Sequence, residues 1–122
     1  MPNIELTFDN VPVRIMDGPY LKDGKPSATA VKHYKSLVKR LPEFRAFAAK
    51  ELCSLYNDTW LDESIGTVDE KRFARMLTNP SIHLFDEVGA SVVYFDDAGL
   101  FAGHSIEVSV EDGAPTSADI IG

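Results

Sequence analysis

The chain has 122 residues, of which 44% are hydrophobic and 25% charged, with a formal net charge of −7 at pH 7. These values exclude a disordered or fibrous chain, and no apolar run approaches the roughly 20 residues that span a bilayer. The length suits one domain over residues 1–122, able to bury a core without disulfide or metal staples.

All twelve Lys and Arg residues occur at or before Arg75, whereas residues 76–122 hold eight carboxylates. Phosphate binding needs clustered cations, so the C-terminal part is unsuited to nucleic acid. A basic partner or a bound cation fits it better. The start "MPNIELTFDN" lacks a basic segment followed by an apolar one, so it reads as a mature cytoplasmic start and not as a secretion signal. Cys53 stands alone within a helical pattern, which predicts a packed thiol in a reducing compartment.

"IELTF" and "VPVRIM", separated by Asp9 and Asn10, read as an opening strand pair. Pro12 favours an edge position. "DGPYLKDGKPS" carries two Asp-Gly pairs and two prolines and reads as a loop. From Ala28 to Leu41, Val31, Tyr34, Leu37, Val38 and Leu41 recur at helical spacing, and Lys32, Lys35 and Lys39 form a solvated stripe. Pro42 predicts a break and suits the first turn of a second helix. That helix turns Phe44, Phe47, Ala48, Leu52 and Leu55 inward and fades at "YNDTW". Trp60 is expected to pack at the helix–sheet junction, with Asn57 and Asp58 capping the helix end or turn; if exposed, it would anchor an interface.

"GTVDEKRFARMLTNP" holds a capping box, Thr67 with Glu70, and a stop at Asn79-Pro80. Phe73, Met76 and Leu77 supply its buried face. Beyond Pro80 the period changes to two: "SIHLF", "SVVYF" and the alternation of Ile106, Val108 and Val110 with Ser105, Glu107, Ser109 and Glu111 read as strands. After the turn "EDGAP", "ADIIG" completes an antiparallel meander.

Between the meander's middle strands, "DDAGLFAGH" combines Asp96, Asp97, two glycines and His104. Asp96 to Gly99 are good turn formers. Gly103, inside a strand pattern, points to a bulge or a close backbone approach. His104 shares the parity of Ile106 and so needs a polar partner if it faces the core. The set admits three readings: a hairpin whose His104 bonds a turn carboxylate or carbonyl, a divalent-cation site of Asp96, Asp97 and His104, or acid–base or nucleophilic chemistry through His104 and Ser105. "GHSIE" fails as a nucleophile elbow, because Glu107 replaces the second glycine and a strand follows. His33 and His83 are each isolated. The chain has no phosphate loop, dinucleotide fingerprint, zinc ribbon or HExxH helix, so no cofactor is implied. No catalytic residue is assigned.

The order "LYNDTW", "GTVDEKRFARML", "DDAGLFAGHSIEV", "ADIIG" resembles a family of small uncharacterised bacterial cytoplasmic domains of unknown function. In that family a Tyr-Asn-Asp-x-Trp segment precedes a short helix and a hairpin reading Asp-Asp-x-x-Leu-Phe-x-Gly-His-x-Ile. The resemblance covers roughly residues 51–122, and Asp97, Leu100, Phe101, Gly103 and His104 carry it most specifically. Ala102 departs from the pattern, in which an aromatic precedes the glycine. Some relatives look like immunity proteins of toxin systems, which implies binding to a protein partner such as a basic toxin.

These readings converge on an α+β domain: an N-terminal strand pair, two to three helices, and an antiparallel sheet of about four to five strands with helices on one face. The expected function is non-enzymatic protein binding of immunity type through an acidic C-terminal sheet. Asp96, Asp97, Phe101, Gly103, His104 and Trp60 are the contact residues of that reading. The alternative is a small-ligand or divalent-cation-binding protein, extending to a metal-dependent hydrolase, built on Asp96, Asp97 and His104. An unpaired sheet edge would permit a dimer.

Overall fold

Two β-branched runs flank Asp9 and Asn10, and in the computed structural model they form β1 (Ile4–Phe8) and β2 (Val11–Ile15) as an antiparallel hairpin. The structure describes residues 3–16, 18–85 and 89–121. The first two residues of "MPNIELTFDN", Asp17 of the first Asp-Gly pair, Asp86 and Glu87 of the C-terminal carboxylates, and the last residue of "ADIIG" lie outside these. Asp9 and Asn10 both take positive φ, 50° and 64°. That is the type I′ turn whose twist matches paired strands.

"DGPYLKDGKPS" is more than a loop. It contains a two-stranded ribbon, β3 (Leu21–Lys22) and β4 (Lys25–Pro26), closed by Asp23 and Gly24 at φ 54° and 74°. The same I′ chemistry as at Asp9-Asn10 operates here over only two residues per strand. The Tyr20 hydroxyl accepts a hydrogen bond from the Gly89 amide at 2.8 Å and ties this region to the sheet.

Ser27 caps α1 (Ala28–Lys39), its hydroxyl accepting the Ala30 N–H at 3.1 Å. The break expected before Pro42 occurs at Arg40, which ends α1 and begins α2 (Leu41–Leu55) with φ −103°. Tyr34, Leu37, Leu41, Phe44, Ala48 and Leu52 are buried as the periodicity predicts, while Val31, Val38 and Phe47 are half-buried. Leu55, expected inward, is 40% exposed, because α2 gives way there to a π turn, Tyr56–Trp60, that redirects the chain.

The third helix, α3 (Glu70–Met76), starts later than the Thr67–Glu70 box predicts. Asp69 is its N-cap and accepts the Arg72 N–H at 2.7 Å. The cause lies in Val68, which is buried and has both backbone groups bonded by the Asn57 side chain. That clamp keeps residue 68 out of the helix, and the next good capping side chain takes over. Phe73 and Leu77 are buried and Met76 half-buried.

Four strands follow: β5 (Thr78–Leu84), β6 (Ala90–Asp96), β7 (Ser105–Glu111) and β8 (Ala114–Ile121). They form the predicted antiparallel meander, but the sheet is larger than expected. Its order is β1-β2-β5-β6-β7-β8, with β2 and β5 parallel. A parallel neighbour requires a crossover, and the segment holding all three helices supplies it. Pro12 therefore lies on an interior strand, against expectation. The β2–β5 ladder begins only at Val13, opposite Ile82. Phe8 and Val11 flank the two-residue turn and exchange its hydrogen bonds, so Pro12 has no ladder bond to lose.

Helices pack on one face of the sheet. Val13, Ile15, Ile82, Leu84, Val93, Phe95, Ile106, Val108 and Val110 point into that core. The alternate residues, among them Arg14, His83, Tyr94, Glu107 and Asp119, form an outer face that no helix covers.

Candidate functional site

The chain joining β6 to β7 runs through residues 97–104 as successive turns. Leu100, Ala102 and His104 donate backbone hydrogen bonds to the carbonyls of Asp97, Gly99 and Phe101. Ala98 and Gly99, then Ala102 and Gly103, take positive φ at 53°, 87°, 59° and 87°. Gly103 thus serves left-handed backbone in a turn; it lies outside the strand, and a Cβ there would meet nothing within 4 Å. Neither the bulge nor the close approach expected of it is present.

Asp97 organises this loop. Its side chain is 3% exposed. One carboxylate oxygen accepts the Gly99 N–H at 2.9 Å, and the other accepts those of Phe101, Gly103 and His104 at 2.8, 3.1 and 3.0 Å. The carboxylate occupies the concavity that a run of backbone N–H groups makes for an anion. The His104 Nδ1–H donates to the Phe101 carbonyl at 2.5 Å. The oxygen can only accept, so Nδ1 carries the proton.

Folded this way, the loop drives Phe101, fully buried, into the helical layer. Tyr56, Trp60 and Phe73 surround it edge-on at ring distances of 6.1, 5.6 and 6.1 Å. Trp60 also meets the His104 ring at 5.7 Å. It therefore both packs at the junction and remains 37% exposed. Asn57 does not cap the helix end but bridges to Val68, its Nδ2 donating to the Val68 carbonyl at 2.8 Å and its Oδ1 accepting the Val68 N–H at 3.0 Å. Beside it, burial and then the Glu70 and Asp69 carboxylates push the Cys53 thiol up, opposed by a hydrogen bond from Asn57. A protonated thiol of this kind is a packing group.

The structure brings Asp97, Phe101, Gly103, His104 and Trp60 together and separates Asp96 from them. Asp96 ends β6 on the outer face and accepts from Asn79 Nδ2 at 2.7 Å. Among the described residues no group of three or more His, Cys, Asp or Glu side chains is placed to hold a metal ion. The carboxylates agree, because both Asp97 oxygens accept backbone amides and Asp96 is engaged by Asn79. The Nδ1–H bond of His104 leaves its Nε2 as a free donor atom, but the three side chains are not gathered into one ligand set.

On the outer face, Glu107 of β7 lies directly opposite Asp119 of β8 and Tyr94 of β6. Like charges directly opposed across strands destabilise the pair. Burial, and then Glu107, push the Tyr94 hydroxyl up. Arg14, beside Glu5 and the half-buried His83, is the one Lys or Arg of this face among the described residues and lies two strands away from Tyr94. Burial and the Arg14 charge hold His83 low, partly offset by Glu5.

Leu55 and Leu61, 40% and 46% exposed, flank the π turn beside Trp60. Sequence reasoning assigned Leu55 to the core, since a π turn leaves no periodic signature. The clustering of Leu55, Tyr56, Trp60 and Leu61 within seven positions is its one visible trace.

A family described as uncharacterised proteins conserved in bacteria, DUF2262, matches residues 5–120, and the chain belongs to it. The match extends through the first fifty residues, beyond the resemblance carried by the C-terminal motifs. No curated protein and no solved structure matches the chain. No helix among the described residues is long and apolar enough to cross a membrane.

Proposed function

We propose that this DUF2262 member is a non-enzymatic, cytoplasmic protein-binding module whose acidic outer sheet face engages a basic protein. A toxin neutralised by an immunity-type protein is the partner that the family resemblance implies. The observation that carries this reading is the Glu107–Asp119 pair. Two carboxylates face each other on a helix-free sheet surface, and no Lys or Arg occurs anywhere after Arg75 to compensate them. Such a pair costs folding energy, and a basic partner would repay it on binding. Asp96, at the end of β6 on the same face, and Tyr94, beside Glu107, extend the surface.

The test is charge reversal. Glu107→Lys should raise stability by about 0.5 kcal/mol in urea unfolding, because it turns a repulsive cross-strand pair into an attractive one. Glu107→Lys with Asp119→Lys should at the same time abolish retention of basic proteins from a bacterial lysate on immobilised protein. A folded double variant that retains the same basic proteins as the wild type overturns the reading.

A further inference from the structure

Exposed large apolar side chains on this molecule are not scattered. Among the described residues they are Leu55, Trp60 and Leu61, all within one short stretch. Single exposed apolar residues are ordinary, but a cluster holding a tryptophan is the composition of an interaction hot spot. The π turn brings residue 60 about one turn beyond residue 55, because its hydrogen bonds span five residues. Turns of this kind are rare and concentrate at functional sites. Phe101 and His104 both pack edge-on with the Trp60 ring, so its ordering is settled before any partner arrives.

The charge of this stretch points to the occupant. Residues 51–70 contain Glu51, Asp58, Asp62, Glu63, Asp69 and Glu70 and no Lys or Arg; the Arg72 guanidinium reaches back only to the far side of the following loop, at the Ile65 and Thr67 carbonyls, so six carboxylates meet one cation. The last turn of α2 also lacks the basic residue that commonly meets a helix C-terminus. An anionic lipid surface would be repelled here. A cationic segment carrying apolar side chains is complementary in both respects.

We infer that the exposed Leu55, Trp60 and Leu61, in a stretch of the chain rich in carboxylates, form a docking surface for an apolar-faced, lysine- or arginine-rich segment of a protein partner. The inference rests on the protein-binding reading and adds to it an apolar anchor point apart from the outer sheet face.

Trp60 is the only tryptophan in the chain, so its emission reports occupancy directly. The probe is a synthetic helical peptide of leucine and lysine with the leucines on one face, titrated into the full chain. The expected result is a saturable blue shift. It should weaken at least about tenfold in Leu55→Ser with Leu61→Ser, which keeps the reporter, and in Asp58→Lys with Glu63→Lys, as loss of 1.4 kcal/mol or more requires. Thermal melts check that both variants remain folded. Several outcomes overturn the inference: no shift, an equal shift with glutamate in place of the peptide's lysines, or an equal shift with anionic phospholipid vesicles. A shift that grows with protein concentration without peptide would also overturn it, by identifying a second copy as the occupant. Glu107→Lys with Asp119→Lys separates the two surfaces. If this variant keeps the peptide shift but loses basic partners, both surfaces stand. If it loses the shift while the leucine variant keeps it, the sheet face alone binds.

Discussion

Asp97 shows how one side chain can fix a loop of eight residues. Its carboxylate replaces water for four backbone N–H groups at once, and hydrogen bonds to a charged acceptor are the stronger kind. It also holds Ala98 and Ala102 in left-handed backbone, which L-residues adopt only at a cost. Asp97→Ala should therefore destabilise the protein by about 3 kcal/mol, and Asp97→Asn, which keeps one acceptor oxygen, by roughly half as much. Equilibrium urea unfolding measures both. A loss below about 1 kcal/mol for the alanine variant would mean that water satisfies these amides as well as the carboxylate does. At this scale the sequence made the residues visible without their roles. Asp97 and Gly99 were legible as turn formers and His104 as a group needing a carbonyl or carboxylate, whereas Gly103 was misread as a strand bulge. That four amides converge on one carboxylate follows from the order of backbone conformations, which composition does not encode.

Elements meet through a few polar contacts set into apolar faces, and α1 meets the sheet through His33. Its Nε2 lies 3.3 Å from the Ser91 hydroxyl on β6, and its ring stacks on Tyr20 at 5.7 Å. Burial, reinforced by the charge of Arg40, holds the imidazole below its ordinary value of 6.5. The unfolded chain then binds a proton more readily than the folded one, so stability is fully present above pH 6.5 and falls as pH drops through the lower folded value. His83 is shifted in the same direction and adds to the loss. The melting temperature should decline from pH 7.5 to pH 5, and His33→Gln should flatten that decline; an unchanged slope in the variant would place its origin elsewhere. Element boundaries were legible where local chemistry decides them, as at Pro42. They were misread where a distant side chain intervenes, as when Asn57 clamps Val68 and moves the α3 cap from Thr67 to Asp69.

For the whole molecule the decisive contact is the parallel junction of β2 with β5. Alternating burial reveals strands but carries no record of their neighbours, so the N-terminal hairpin and the C-terminal meander were recognisable as parts while their union was not. Pro12 even argued against it, since only the exact start of the β2–β5 ladder makes an interior proline harmless. The union places Val11, Val13 and Ile15 in the same hydrophobic cluster as Leu37, Phe44, Tyr56, Phe73, Phe95 and Val108. Residues from the first strands and from every helix thus share one core, and none of these parts can leave without exposing the faces of the others. Unfolding in urea should accordingly be one transition, with Trp60 fluorescence and far-ultraviolet circular dichroism superimposing. Trp60 sits on the helical layer next to Phe101, far in sequence from the opening hairpin, so fluorescence follows that layer while dichroism also includes the hairpin. If the dichroism signal moved first, β1 and β2 would be an appendage to a meander that folds without them. Closing a parallel pair across the whole helical segment also requires a long loop to form before its contacts can stabilise it. The transition should therefore be slow as well as single.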